Sequence, residues 1–385
     1  MTLSHPPIHA AIGGLIAMAA AMGIGRFVYT PILPYMTDAI GLTESQAGFI
    51  AAANFLGYLL GALAGATGLL SGNRRVWLLG ALAVSALSTG AMALTISIPG
   101  FMFLRFVSGV CSAMVMVFGS ALVIDRLTAA DRPALAHYHY AGVGSGMAVS
   151  AIIVATLGAL SISWTGQWMT SAVLAGLGFL AVLYLIPPGI GETAPPAPPC
   201  KTGVDRRIVP LAVAYGLFGF GYVITATFIS VLVRQSASLA PIEPYIWLTV
   251  GLSAVPSVGL WMWVGRRIGN AQCIALACLV EAIGVAATVM FDSASAVILG
   301  GVLLGGTFMG ITAVGLITAR QMTAGDPRRM LALLTAAFGA GQMIGPAYGG
   351  YLADVMGNFT APTLTAAGAL VIAGGLATAA RKPGY

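Results

Sequence analysis

The sequence predicts an all-α membrane protein of twelve transmembrane helices, arranged as two six-helix halves around a central cavity. Three observations carry this. Hydrophobic residues make up 58% of 385 positions and charged residues only 7%, whereas a soluble domain carries about a quarter charged residues. Runs of about 20 apolar residues, enough for a helix to cross roughly 30 Å of hydrocarbon, recur from end to end. The basic residues gather on alternate connections between those runs, as they do when one side of a membrane is favoured.

The first run lies near residues 8–35. Its leader, MTLSHPPIHA, has no Lys or Arg and no evident cleavage site, so it is read as a retained helix rather than a signal peptide. Pro31 and Pro34 should bend or loosen it and free backbone carbonyls. The next runs fall near 46–70, 76–97, 99–124, 133–160 and 165–187. After a gap they resume near 207–233, 245–265, 271–291, 295–319, 329–352 and 360–380. Gly and Ala are frequent inside them, as in membrane helices whose backbones approach closely.

With the N-terminus inside, the cytoplasmic segments hold Arg74, Arg75, Arg126, Arg132, Lys201, Arg206, Arg207, Arg266, Arg267, Arg320, Arg328, Arg329, Arg381 and Lys382, which is 14 of the 17 Lys and Arg residues. The outward loops carry Asp38, Glu44, Glu243, Asp292 and Asp354. This asymmetry accounts for the net charge of +6 without nucleic acid and places both termini in the cytoplasm. Cys111, Cys200, Cys273 and Cys278 lack zinc-type spacing and suggest no disulfide framework.

The stretch PPGIGETAPPAPPCKTGVDR (187–206) is rich in Pro and Gly and cannot span a membrane. The expected division is therefore 1–187 and 207–385 as six-helix bundles, with 188–206 as a cytoplasmic linker. A faint repeat supports it. Gly25-Arg26-Phe27-Val28 aligns with Gly221-Tyr222-Val223-Ile224, and Arg105-x-x-x-Gly109 with Gly301-x-x-x-Gly305. Gly142 and Gly144 align with Gly339 and Gly341, and Arg74-Arg75 with Arg266-Arg267.

Over nearly its whole length the chain resembles the major facilitator superfamily. Gly72-Asn73-Arg74-Arg75 resembles the signature between helices two and three, without its usual acidic residue, and Leu104-Arg105-Phe106-Val107-Ser108-Gly109 resembles the fourth-helix signature. Gly23-Ile24-Gly25-Arg26-Phe27-Val28-Tyr29-Thr30-Pro31 and Tyr140-Ala141-Gly142-Val143-Gly144-Ser145-Gly146 are more specific. With Gly219 to Phe228 and Gly305 to Ala313 they resemble the bacterial YbfB/YjiJ-type branch. The resemblance implies a secondary transporter, with Arg74, Arg75, Arg266 and Arg267 in gating loops, and imports no ligand. The fifth helix lacks the Gly-Pro of the drug-antiporter signature; the eleventh carries Gly345-Pro346.

Charges in hydrocarbon cost roughly 2.5–3.5 kcal/mol or more, so intramembrane ions are functional candidates. Arg26 lies deep in the first helix, on one helical face with Met22, Tyr29 and Leu33. It is read as binding an anionic group or a switching carboxylate, against a structural arginine satisfied by carbonyls or snorkelling. For Arg105, the motif favours a cavity-facing role in proton coupling or substrate charge, against a snorkelling end residue. Glu281 is the one acid deep in a helix. A lone carboxylate in lipid favours its neutral form and could carry a proton. Ninth helices in the superfamily are usually peripheral, so a structural carboxyl bonded to a neighbour stands beside that reading. His139 is a possible proton carrier or an interfacial histidine; the latter suits His137. Asn54, Tyr58, Tyr222, Thr225 and Gln342 are uncharged polar groups at depth, with Tyr222 at the repeat position of Arg26. Met18 and Met22 would suit Cu(I), as in some facilitators, but Arg26 on the same face would repel a cation. No metal or cofactor is expected.

The function expected is secondary transport of a small organic solute by alternating access. Two arginines against few acids point to an anion such as a carboxylate, moved with protons. Export of amphipathic drugs is the alternative in the same class. A membrane enzyme lacks any His-rich, Asp-rich or Ser/His/Asp constellation, a sensor would add an output domain, and no Walker-type motif suggests ATP drive. The expected partners are the solute, protons and the bilayer of a bacterial inner membrane, with the chain working as a monomer.

Overall fold

The computed structural model describes residues 6–66, 70, 72–189, 208–322 and 328–379. Nearly all of the expected linker, with Cys200, Lys201, Arg206 and Arg207, lies outside the described residues, as do Arg381, Lys382 and the side chains of Arg328 and Arg329. Among the described residues, twelve helices are long and apolar enough to cross a membrane. They are α1 Pro7–Ile40, α2 Glu44–Gly65, α3 Arg74–Leu94, α4 Ile98–Ala129, α5 Pro133–Ala159, α6 Trp164–Leu185, α7 Ile208–Gln235, α8 Ala240–Ile268, α9 Asn270–Met290, α10 Ala294–Gln321, α11 Met330–Met356 and α12 Thr360–Ala379. Each expected span has its helix.

Two helices are irregular. α1 is α-helical over Pro7–Met18, widens to a π-helix over Ala19–Ile24, turns at 25–28 and resumes over Tyr29–Ile40. The wide turn shows in Gly25 N–H donating to Ala20 O at 2.9 Å and Phe27 N–H to Met22 O at 3.1 Å, both five residues back. The prolines were expected to bend or loosen this helix. Instead Pro31 and Pro34 sit inside its second piece, and the break falls at the glycine-rich stretch before them. A π-helical turn, Val115–Gly119, also interrupts α4; such turns concentrate at functional sites.

Within the halves, α2 packs on α4 and α8 on α10. At Gly109 a Cβ would overlap the carbonyl oxygen of Asn54, and at Gly305 that of Val250. Both glycines and both carbonyls are 196 residues apart in sequence, so the same contact is built twice. Only glycine permits an approach this close. The halves meet along α2–α11 and α5–α8, with the second piece of α1 against α7. Small residues again set the spacing: a Cβ at Gly144 would crowd Gly251 and Val255, and one at Gly251 would crowd Ala148.

The signature loop before α3 has a local physical role. Asn73 Oδ1 accepts from the N–H groups of Arg75 at 2.8 Å and Val76 at 3.1 Å, capping α3. Arg74 pairs with Asp125 of α4 at 2.6 Å. Arg75 donates to the carbonyls of Ile186 at 2.6 Å and Leu183 at 3.1 Å, at the end of α6. The acid missing from the loop thus comes from α4. At the repeat position, Arg266 and Arg267 end α8, and Arg267 lies 5.0 Å over the Trp263 ring.

Candidate functional site

The break in α1 exposes the carbonyls of Gly25 and Arg26, and α4 supplies their partners. Arg105 donates through Nη1 to Gly25 O at 2.9 Å and through Nη2 to Arg26 O. Ser108 Oγ donates to Gly25 O at 2.8 Å. Arg105 is 3% exposed, so it does not snorkel; it splints the broken helix. Asn54 of α2 holds α4 in place by donating to Arg105 O at 2.8 Å, leaving its own Oδ1 without a partner.

The turn aims Arg26 at the interface between the halves. Its guanidinium lies 4.0 Å from the Tyr58 ring, 4.7 Å from Phe55 and 5.2 Å from Phe27, cation–π distances. Nη2 donates to Gln342 Oε1 on α11 at 3.2 Å, and Gln342 Nε2 donates to the Tyr222 hydroxyl on α7. Arg26 and Tyr222, the repeat-related pair, are thus bridged by one glutamine. Arg26 is 3% exposed and its Nε–H has no partner. Tyr222 lies parallel between Phe308 and Phe338, with centroids at 5.6 and 5.9 Å. Thr225, one turn further along α7, is buried with its hydroxyl unpartnered.

The break also undoes an expected face. Tyr29 does not stand beside Arg26: its hydroxyl donates to Ala47 O at 2.9 Å and its ring lies 5.1 Å from the Arg105 guanidinium. His139 is not brought to this centre either. Fully buried, it contacts Ser120 Oγ at 2.8 Å through Nε2 and faces Gly14 of α1. Gly14 is twelve residues before Arg26, roughly 18 Å along a helix. His139 is buried within the protein, while His137 is exposed at the start of α5. Met18 and Met22 are buried, Met18 against Gly142.

Glu281 is fully buried on α9, and neither carboxyl oxygen has a hydrogen-bond partner. The Thr307 hydroxyl of α10 lies beside it but donates to its own helix, to Leu303 O at 2.6 Å. The next residue, Phe308, is the ring stacked on Tyr222. Glu281 is therefore one residue layer behind the centre.

A second cluster closes the far face, the side away from Pro7 and Ala379. Arg234 of α7 pairs with Asp38 of α1 at 3.0 Å and Glu243 of α8 at 3.3 Å, and lies 4.0 Å over the Tyr35 ring. Gln235 donates to Glu44 at 2.8 Å. Asp354 of α11 accepts from the N–H groups of Glu44 at 3.0 Å and Ser45 at 2.9 Å and from the Ser45 hydroxyl, capping α2 from the other half. Thr30 donates to Ala226 O at 2.8 Å. On the near face, Arg74 pairs with Asp125 and Asn270 with Gln321, each within one half. Sequence reasoning passed over Arg234 and Asp125, and placed Asp354 in an outward loop without its capping role. Arg234 had a signal: with Arg26 and Arg105 it is one of the three basic residues outside the cytoplasmic set.

Two bundles meeting across a buried, charged centre, closed at one face, define a membrane transport protein of the major facilitator fold. The chain is similar in structure to the nucleoside transporter NupG, with a TM-score of 0.73, 15% identity, and coverage of 98% of this chain and 98% of that one. A bacterial homologue of the human lysosomal transporter Spinster, inward-facing and unoccupied, gives a TM-score of 0.72 at 14% identity, covering 99% and 97%. No curated protein matches in sequence. The family model described as the uncharacterised MFS-type transporter YbfB matches residues 18–378, and the chain belongs to that family.

Proposed function

We propose that this chain is a proton-coupled secondary transporter of a small organic anion, working by alternating access between bundles 1–187 and 207–385 of a monomer. The observation that carries the reading is Arg26. It is a buried guanidinium between the halves whose side-chain partners, the Gln342 amide and the Tyr58 hydroxyl, are both neutral and whose Nε is unpartnered. A buried cation without a counterion is costly, and an arriving carboxylate supplies one. Thermal-shift screening of the purified protein against organic acids, amino acids, metals and drugs tests it, because a ligand of the folded state raises apparent stability. A carboxylate should stabilise, and its amide should not.

Protons are assigned to Glu281. A carboxyl with no cation nearby is tolerated when neutral, and Thr307, beside it, precedes the Phe308 ring stacked on Tyr222. Glu281→Gln, which resembles the neutral form, should abolish accumulation driven by a pH gradient in proteoliposomes while retaining exchange of the acid. Retained gradient-driven accumulation would make Glu281 structural.

The far face is read as extracytoplasmic, in the inner membrane of a bacterium, with both termini cytoplasmic. A cysteine replacing Asp38, whose side chain is 68% exposed, should react with an impermeant maleimide on intact spheroplasts. A cysteine replacing Asp131, in the exposed α4–α5 connection, should react only after permeabilisation. The opposite pattern inverts the topology.

A further inference from the structure

We propose that Gln342 is an internal stand-in for the substrate: its amide oxygen occupies the place on Arg26 that a carboxylate takes, and the bound acid displaces it. The inference rests on the anion-site reading of Arg26 and adds how the empty site is held. It also narrows the solute to a monocarboxylic acid with an apolar or aromatic body.

The geometry around the guanidinium is restrictive. The rings of Tyr58, Phe55 and Phe27 crowd it at 4.0, 4.7 and 5.2 Å, and the edge that carries Nε and Nη2 is the one an acceptor can take. On that edge sit the unpartnered Nε–H and an Nη2–H that reaches Gln342 Oε1 at 3.2 Å. A carboxylate accepts two parallel N–H bonds from such an edge, shorter and stronger than a bond to a neutral amide. The amide is therefore replaceable by a carboxylate, and a neutral solute has no comparable advantage.

Gln342 is also fixed in the orientation this needs. Its Nε2 donates to the Tyr222 hydroxyl, so Oε1 points at Arg26; a flipped amide would set N–H against N–H. Tyr222 is itself clamped between Phe308 and Phe338. The Arg26–Gln342 bond joins α1 to α11 and hence one half to the other. When an acid takes Arg26, a bond between halves is exchanged for a bond to ligand, and occupancy is linked to the freedom of the halves to separate. One buried cation between the halves suits a single carboxylate, and the surrounding rings suit an apolar body.

Benzoate is the probe and benzamide its neutral control, with binding to the purified full-length protein read by titration calorimetry. Gln342→Leu removes the competitor and should tighten benzoate binding about tenfold. Gln342→Glu gives Arg26 a resident carboxylate and should weaken it at least about tenfold. Benzamide should bind none of them. If Gln342→Leu does not fold, Gln342→Met, of similar length, takes its place. Unchanged or weaker benzoate binding by the Leu or Met variant overturns the stand-in role, as does absence of binding by both wild type and variant. The anion site fails separately, if Arg26→Gln binds benzoate as wild type does.

Discussion

Replacing Arg26 by Gln should abolish uptake of the acid that stabilises the wild type, lowering apparent affinity by at least about 100-fold. Removing one partner of a buried charge pair costs about 2–5 kcal/mol, and each 1.4 kcal/mol is tenfold. Arg26→Lys keeps the charge but loses the planar fork that presents two donors in one edge, so an intermediate loss of about tenfold is expected. The fold should survive Gln. An uncharged residue is easier to hold at membrane depth than the ion it replaces, and the cation–π attraction of the surrounding rings is worth only about 1–2 kcal/mol. Binding measured beside size-exclusion profiles and melting curves checks this. An unfolded Arg26→Gln variant, or unaltered uptake, would make Arg26 part of the scaffold.

The second large effect is expected at the far face. Arg234→Ala removes the Asp38 and Glu243 pairs and the stacking on Tyr35. Asp354→Ala removes the cap on α2. The Asp38 pair is solvent-exposed and worth less than about 1 kcal/mol; the rest raises the sum for the double variant to about 2 kcal/mol. That is about a 30-fold shift toward the state open on the far face. Spin labels on the ends of α1 and α7, read by pulsed dipolar spectroscopy, should show a longer distance population that is minor in the wild type. An unchanged distribution would mean that packing along α2–α11 closes the face without these charges.

The helix count was legible in the sequence because hydrocarbon imposes one rule on every span, and that rule needs no knowledge of tertiary contacts. The repeat was legible for a related reason: glycines such as Gly109 and Gly305 are fixed by backbone approaches that no other residue allows. The centre was only half legible. Arg26 stands out because an ion in an apolar run is conspicuous. Its partners do not, because Gln342 and Tyr222 are ordinary polar residues whose meeting depends on how two distant helices cross. The break in α1 was not read from the sequence, where the prolines are the louder local signal. The turn instead follows from carbonyls that Arg105 and Ser108 satisfy from another helix. Asp354 was placed in an outward loop, but its capping of α2 gave no signal, since capping a helix in the opposite half leaves no mark in its own neighbourhood.

The ion pair between Asp38 and Arg234 joins positions that differ by 196 residues, and so does the bond from Thr30 to Ala226. Such positions face each other across the pseudo-two-fold axis relating the halves. A pair of identical six-helix subunits would set each axial residue against its own copy, acid against acid or arginine against arginine. An ion pair on that axis is open only to two halves that already differ in sequence. The same holds at the centre, where two copies of Arg26 would repel and one arginine facing one tyrosine does not. Both the ion pair of the far face and the single cation at the centre thus require two halves of different sequence, and a symmetric dimer of one half could build neither.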